Sequence, residues 1–179
     1  MLEAIPGDKI TEFFQTGFQH TAWRLETRRA YAADQRSEAY ARFLRGEARQ
    51  SNPDNPWAVM VRDAVAVGKR IERVRVLDDP LTENQRYSLT SVVDNLASGE
   101  DIRFLPRAKA KQLHLPDDDV WLFDSRVAAR FFWDDTGWAT HLELTDDPQT
   151  VVNYCQARDA AWHFAIRYED VRAQVASGV

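Results

Sequence analysis

A run of β-branched and charged residues at positions 68–77 constrains the fold of this chain more than any other feature. Val74 and Val76 indicate a strand, because β-branched side chains fit a pleated surface. Residues two apart in a strand share a face, so Arg73 and Arg75 point the same way, roughly 6–7 Å apart. We therefore predict an interior strand whose two guanidinium groups need carboxylates or an anionic ligand beside them.

Acidic and aromatic side chains elsewhere in the chain could complete a cluster around these arginines. One interpretation is a salt-bridge network that fixes the N-terminal segment to the sheet, and such a network favours specific packing more than raw stability. The other is a pocket in which guanidinium forks hold a phosphate or a carboxylate. The predicted cluster comprises Arg24, Glu26, Arg73, Arg75, Glu100, Asp101, Arg103, Asp119 and Trp121.

Composition narrows the class of protein. The chain has 179 residues, 44% of them hydrophobic and 28% charged, which is typical of a globular domain. A net charge of −5 argues against broad nucleic-acid binding. Cys155 is the only cysteine, so a disulfide framework and a multi-cysteine zinc site are excluded. Neither a signal peptide nor a membrane span is predicted, so we expect a cytoplasmic protein.

Turn-forming residues at 51–56, Ser-Asn-Pro-Asp-Asn-Pro, indicate a linker. We predict an N-terminal helical segment, residues 1–50, that packs on an α/β domain, residues 56–179. Within the first segment we expect a helix that begins at Asp8, a short strand over 22–27 and a second helix capped by Asp34.

The second part alternates between strands and helices, which predicts a mixed sheet with helices packed on it. Asn55 and Pro56 begin one helix, and Thr82 to Gln85 form the capping box of another. Asp147 and Pro148 begin the last long helix. Strands are predicted through 70–76, 102–105, 119–123, 127–133 and 138–144.

Chemistry-bearing residues do not form a recognisable catalytic group. Asp119 and Asp124 are five apart, on opposite faces of their strand, so they cannot act together on one substrate atom. We interpret Asp124 as the cap of the turn that follows. Neither a cofactor nor a metal ion is predicted. The isolated side chains are interpreted as structural or exposed: His20, His114, His141, His163 and Cys155.

Several strings are distinctive in combination: Ala-Trp-Arg-Leu-Glu at 22–26, Tyr31, residues 68–76, Ala-Ser-Gly-Glu-Asp-Ile-Arg at 97–103, Leu-Pro-Arg at 105–107, and Leu115-Pro through Trp-Leu-Phe-Asp at 121–124. On these strings the chain resembles an actinobacterial family catalogued as a domain of unknown function. Genes of that family often neighbour helix-turn-helix regulators, so the resemblance implies a regulatory setting.

The part after Gly68 is similar to phospholipase D-like domains in its order of elements. That superfamily carries a His-x-Lys pair in each active half, with the histidine as nucleophile. None of the four histidines here has lysine two positions later. The resemblance implies the fold without the known chemistry, as in the sensor domains of some bacterial regulators.

Three functions are compatible with these patterns. We favour a non-enzymatic regulatory or ligand-sensing module that acts with a protein partner, such as a helix-turn-helix transcriptional regulator, and that can bind a small anion. The alternative is an enzyme acting on a phosphate or acyl group, with Arg73, Arg75 and Arg103 holding the anion. A third is a purely structural interaction protein. Nucleic acid is not an expected partner, because arginines of the N-terminal segment are interspersed with acidic residues.

Overall fold

The computed structural model describes residues 3–6, 14 and 16–176. The predicted helix beginning at Asp8 lies outside the described residues. The strands form one sheet in the order β1-β7-β6-β5-β2-β3-β4-β8, in which β2–β3 and β3–β4 are parallel and the other pairs antiparallel. Their bounds are β1 Glu3–Pro6, β2 Thr21–Glu26, β3 Arg70–Leu77, β4 Asp101–Pro106, β5 Val120–Phe123, β6 Val127–Trp133, β7 Ala139–Thr145 and β8 Ile166–Arg167.

Several helices begin where the sequence offers a capping side chain, whereas Ala32–Gln35 and Arg107–Gln112 begin without one. Asn55 accepts a hydrogen bond from Ala58 N, and Thr82 and Gln85 cap each other's backbone reciprocally, as predicted. No helix in the described ranges is long and apolar enough to cross a membrane. The helices are α1 Ala32–Gln35, α2 Glu38–Leu44, α3 Pro56–Ala66, α4 Glu83–Ala97, α5 Arg107–Gln112, α6 Pro148–Phe164 and α7 Tyr168–Ala176.

Helices cover the sheet on both faces. One face buries Trp23, Leu25 and Val74 against α5 and α6. The opposite face packs against α3, where Val61 is buried, and against α4, where Val92 is buried. Alternating side chains of one strand therefore serve two separate cores, and the predicted class, a mixed sheet with helices packed on it, is confirmed.

The N-terminal segment differs from the prediction. Its strand β2 lies between β5 and β3, in the middle of the sheet, so residues 21–26 belong to the sheet itself and not to a helical segment that packs on it. The physical reason is that Ala22 and Leu25, on opposite faces of β2, are both fully buried. Asp34 lies inside α1, and Ser37 instead caps the following helix by accepting from Tyr40 N.

Candidate functional site

Strand register places charged residues together on the face covered by α3 and α4. In the parallel pair β2–β3, Arg24 lies opposite Arg73 and Glu26 lies opposite Arg75. On the other side of β2, Trp121 of β5 lies opposite Arg24. Directly opposite residues share a face, so the sheet assembles these five predicted site residues into one cluster.

Glu26 is the centre of this cluster. Its Oε1 accepts hydrogen bonds from Arg24 Nε at 3.1 Å and Arg73 Nη1 at 2.6 Å, and its Oε2 accepts from Arg75 Nε at 2.5 Å. The residue is only 4% exposed. Burial alone would raise the pKa of Glu26, but Arg73, Arg75 and Arg24 together hold that pKa well below its usual range. The carboxylate therefore stays ionised.

Glu100 is the second acidic partner of Arg73. Its Oε1 lies 2.7 Å from both Nε and Nη2 of Arg73, and its Oε2 accepts from Trp57 Nε1 at 2.8 Å and from Asn95 Nδ2 at 3.1 Å. Burial would lower the pKa of Arg73, yet Glu100 and Glu26 raise it. The Arg73 guanidinium therefore stays charged although it is buried.

Asp119 closes the cluster on the side of Arg24. Its Oδ2 accepts from Arg24 Nη2 at 3.2 Å and from the Tyr31 hydroxyl at 2.8 Å, and its Oδ1 accepts from the backbone and hydroxyl of Thr27. The Arg24 guanidinium also lies 4.1 Å from the ring centroid of Phe131. These contacts join the loop after β2 to the start of β5.

Asp101 and Arg103, which the sequence placed in the cluster, lie on the opposite face of the sheet. In the β3–β4 pair, Arg73 is opposite Ile102, so the odd-numbered residues of β4 face away from the cluster. Arg103 binds Asp101 at 3.3 Å and lies 3.8 Å from the ring centroid of Trp162. Their inclusion in the cluster was wrong, and strand parity is the reason.

Asp124 also has a role that differs from the predicted one. It does not cap the turn that follows; its carboxylate accepts from the backbone N–H groups of Gln19, His20 and Thr21, at 2.7 to 2.8 Å. Burial raises the pKa of Asp124, but these three N–H groups lower it overall. Asp124 thus fixes the beginning of β2 and has no part in the cluster.

A cavity of about 890 Å³ lies directly above the cluster. Arg24, Glu26, Arg73 and Arg75 form its floor, and the aromatic side chains of Phe14, Trp57, Trp121 and Phe131 line it beside them. The remaining walls come from Asp34 of α1, from Asn55, from α2 and α4, and from a covering segment, residues 47–52. The cavity therefore has a charged floor, an aromatic side and a polar cover.

One carboxylate of α4 fastens the covering segment. Asp94 accepts from Arg49 Nη1 at 2.8 Å, Ser51 Oγ at 2.7 Å and Asn52 N at 2.9 Å. Burial raises the pKa of Asp94, but these hydrogen bonds outweigh burial and lower it. Helix α2 packs against α4, where the ring centroids of Tyr40 and Tyr87 are 5.0 Å apart. The covering segment is thus bound to α4 through Asp94 and to α2 through Arg42, which donates to Glu47 at 3.0 Å and to Gln50 at 2.5 Å.

Arg75 is the arginine of the floor with open donors. Its Nε is engaged by Glu26, but among the described residues neither Nη atom has a hydrogen-bond partner. Arg24 and Arg73, by contrast, each contact two carboxylates. Burial would lower the pKa of Arg75, and Glu26 raises it above its ordinary value. The cavity floor therefore presents one charged, partly unsatisfied guanidinium.

The described residues provide neither a histidine in the cavity lining nor a group of side chains that could hold a metal ion. The described residues that line the cavity include no histidine. Within the described ranges, no group of three or more His, Cys, Asp or Glu side chains is arranged to hold a metal ion.

The residues predicted from the sequence for this site did not include Tyr31, Asp34 or Trp57. Trp57 carried a usable signal, because it follows Asn55-Pro56 in the first turn of a helix whose apolar stripe faces the sheet. Tyr31 and Asp34 come from a short irregular region with little periodicity. Only the tertiary structure brings Tyr31 to Asp119 of the cluster and Asp34 to the cavity.

The pKa of Glu26 predicts an acid-sensitive fold. A depressed pKa contributes stability that is complete above the unfolded value of about 4.3 and declines as the pH falls toward the folded value. Below about pH 4 we expect Glu26 to contribute a loss of about 1.4 kcal/mol per pH unit in the free energy of unfolding. Urea denaturation at several pH values checks this, with Glu26→Gln expected to show a shallower slope than the parent. Parallel slopes for the two proteins would contradict it.

Comparison with known proteins identifies the family. The chain belongs to the family described as a domain of unknown function, DUF6879, whose model matches residues 8–173. The predicted resemblance to a family catalogued in this way is confirmed. Among curated proteins, none matches the chain at a significant level.

A solved structure gives a comparison for the fold. NucT from Helicobacter pylori is similar to this chain with a TM-score of 0.55 and 10% sequence identity. The match covers 93% of this chain and 98% of the other. At that identity the likeness is one of fold.

Proposed function

We propose that this protein is a regulatory module that senses a small anionic ligand in the cavity and acts with a protein partner, such as a helix-turn-helix transcriptional regulator. The observation that carries the proposal is that Arg75 lies in the cavity floor and that, among the described residues, its two Nη atoms have no hydrogen-bond partner. The regulatory partner follows from the family resemblance in the sequence.

Arg75 has the properties of an anion receptor. Glu26 holds its Nε and so fixes the plane of the guanidinium, while the two Nη atoms stay available. A planar fork of this kind binds a carboxylate or phosphate through two parallel hydrogen bonds. The Arg75 side chain is only 13% exposed, and a hydrogen bond in such a largely buried setting is stronger than one in water. Glu26 is accordingly a positioning residue for Arg75.

We expect ligand binding to affect the covering segment as well as the cavity floor. The covering segment is joined to α4 by polar contacts to Asp94, and such contacts exchange readily with water. A ligand that touches both Arg75 and this segment stabilises the closed arrangement over others. A partner protein that contacts the cover would thereby respond to the ligand.

A phospholipase D-like arrangement is part of the same proposal. The likeness to NucT extends over nearly the whole chain and is consistent with it. The order of elements after Gly68 supported the same fold from the sequence. Hydrolytic chemistry is not carried over from either comparison.

The enzyme alternative has less support from the cavity. The hydroxyls of Ser88 and Ser91 donate to backbone carbonyls three residues earlier in α4, at 2.9 and 3.2 Å. Activation of a serine needs a neighbouring base that accepts the hydroxyl proton. Neither hydroxyl is directed at a base, so the lining offers these serines no activation.

Titration calorimetry with succinate and with inorganic phosphate tests the ligand. We expect at least one of them to bind the parent protein, and Arg75→Gln to weaken that binding by about tenfold to a hundredfold, because a charge-assisted hydrogen bond is lost. Arg70→Gln is the matched control, since Arg70 lies on the same strand with an exposed side chain. Equal anion binding by the parent protein and Arg75→Gln, or no binding of these anions or of any other small carboxylate, would refute the ligand proposal.

Co-purification tests the partner. We expect a helix-turn-helix regulator from the same genomic neighbourhood to associate with the protein, and a bound anion to change the amount recovered. Absence of association with and without the anion would count against the partner and leave the ligand result standing.

A further inference from the structure

Asp34 is a carboxylate that lines the same cavity as Arg75. Its Oδ2 accepts a long hydrogen bond of 3.4 Å from Asn84 Nδ2, and among the described residues no cation comes within ion-pair distance of it. Burial raises the pKa of Asp34, and the charge of Arg75 offsets that effect only in part. Asp34 is therefore a partly buried acid that lacks a cation.

The floor cannot supply that cation, because its charges are already matched. The three guanidiniums of Arg24, Arg73 and Arg75 are answered by three carboxylates, those of Glu26, Glu100 and Asp119. The carboxylate of Asp34 is an additional acidic group in the lining of the same cavity. A purely anionic ligand on Arg75 would face this unanswered carboxylate.

We infer that the ligand is a zwitterion of the amino-acid class, with its carboxylate on the Nη atoms of Arg75 and its ammonium group on Asp34. This inference rests on the proposed function. An ammonium group has three donors and no acceptor, which suits a carboxylate with little else bound to it. The two receptor groups carry opposite charges, so a dianion meets repulsion at Asp34 and a diamine meets repulsion at Arg75.

The size and the lining of the cavity fit a molecule of this class. Small-molecule sites commonly span about 300–1,000 Å³, and about 890 Å³ leaves room for a side chain beyond the two charged groups. Trp57 and Phe43 line the cavity together with the polar groups. These rings provide apolar surface for the carbon skeleton of the ligand.

A panel of four-carbon compounds with matched skeletons tests the charge requirement. Calorimetric titrations use 4-aminobutyrate as the zwitterion, succinate as the dianion and putrescine as the diamine, together with the common α-amino acids. We expect at least one zwitterion to bind the parent protein about tenfold or more tightly than succinate or putrescine, since both charged contacts form only with the zwitterion.

Variants assign the ammonium contact. Asp34→Asn should weaken binding of that zwitterion by about tenfold to a hundredfold and leave succinate binding unchanged or tighter. Asp63→Asn, an exposed carboxylate on α3, is the control and should change neither. Succinate binding as tightly as every amino acid, or zwitterion binding that is insensitive to Asp34→Asn, overturns this inference and leaves the proposed anion site intact. Binding of neither class overturns both.

Discussion

Replacing Glu26 with glutamine is expected to lower the free energy of unfolding by about 3–5 kcal/mol, the range for breaking a buried ion pair from one side. Three guanidiniums converge on this carboxylate, and a neutral amide cannot offset their charge. The amide would also place donors against donors, because arginine has no acceptor. Urea denaturation is the suitable measurement, since urea does not screen charges as a guanidinium salt does.

Glu47→Gln is the matched control. Glu47 also joins two arginines, Arg42 at 3.0 Å and Arg45 at 2.5 Å, but it does so at the surface of the covering segment. Water and salt screen such pairs, so we expect a far smaller loss of stability there. Equal losses for the two substitutions would mean that burial does not increase the contribution of the Glu26 cluster to the free energy of unfolding.

Arg73→Met is expected to destabilise the protein by a similar amount, about 3–5 kcal/mol, because it leaves Glu26 and Glu100 buried with fewer counter-charges. Methionine matches the length of the arginine stem and retains most of the apolar packing. In the background of Glu100→Gln, the loss caused by Arg73→Met should shrink. The coupling energy from this double-mutant cycle should be on the order of 1–3 kcal/mol.

Asp101 provides a control cycle for Arg73. It is also an acidic residue close to Glu100 in sequence, but its strand position turns it to the opposite face of the sheet. We expect Arg73→Met and Asp101→Asn to be additive within about 0.5 kcal/mol. Additivity in the Glu100 cycle, or strong coupling in the Asp101 cycle, would contradict the arrangement of the cluster.

The shared face of Arg73 and Arg75 could be predicted from the sequence because it depends only on the two-residue period of a strand. The same rule placed Arg24 and Glu26 together on β2. Helix starts were equally predictable, since a cap such as Thr82 with Gln85 is a local interaction written into a few residues.

Pairing between strands was beyond the reach of these local rules. The face on which Asp101 and Arg103 lie depends on which residue of β4 meets Arg73, and a shift of one position would reverse it. The central place of β2 likewise depends on two neighbours, β3 and β5, that follow it by dozens of residues in the chain. Local turn signals at 51–56 therefore suggested a domain boundary where the sheet is continuous.

Network and pocket, which the sequence offered as two alternatives, coexist in the structure. Glu26, Glu100 and Asp119 satisfy Arg24 and Arg73, as a structural network would. The same network holds Arg75 by its Nε beside a large cavity and leaves its outer donors open. A rigid, charge-balanced support of this kind keeps a binding group oriented before the ligand arrives.

Nitrogen NMR of the arginine side chains tests this account most directly, with signals assigned through Arg→Lys variants. In the free protein we predict slow hydrogen exchange at the bonded Nε and Nη groups of Arg24 and Arg73, and fast exchange at the Nη groups of Arg75. Titration with succinate, phosphate and the amino-acid panel should then shift the Arg75 signals selectively and slow their exchange. Arg75 signals that stay unchanged with every compound, or shifts of equal size at all three arginines, would contradict the account.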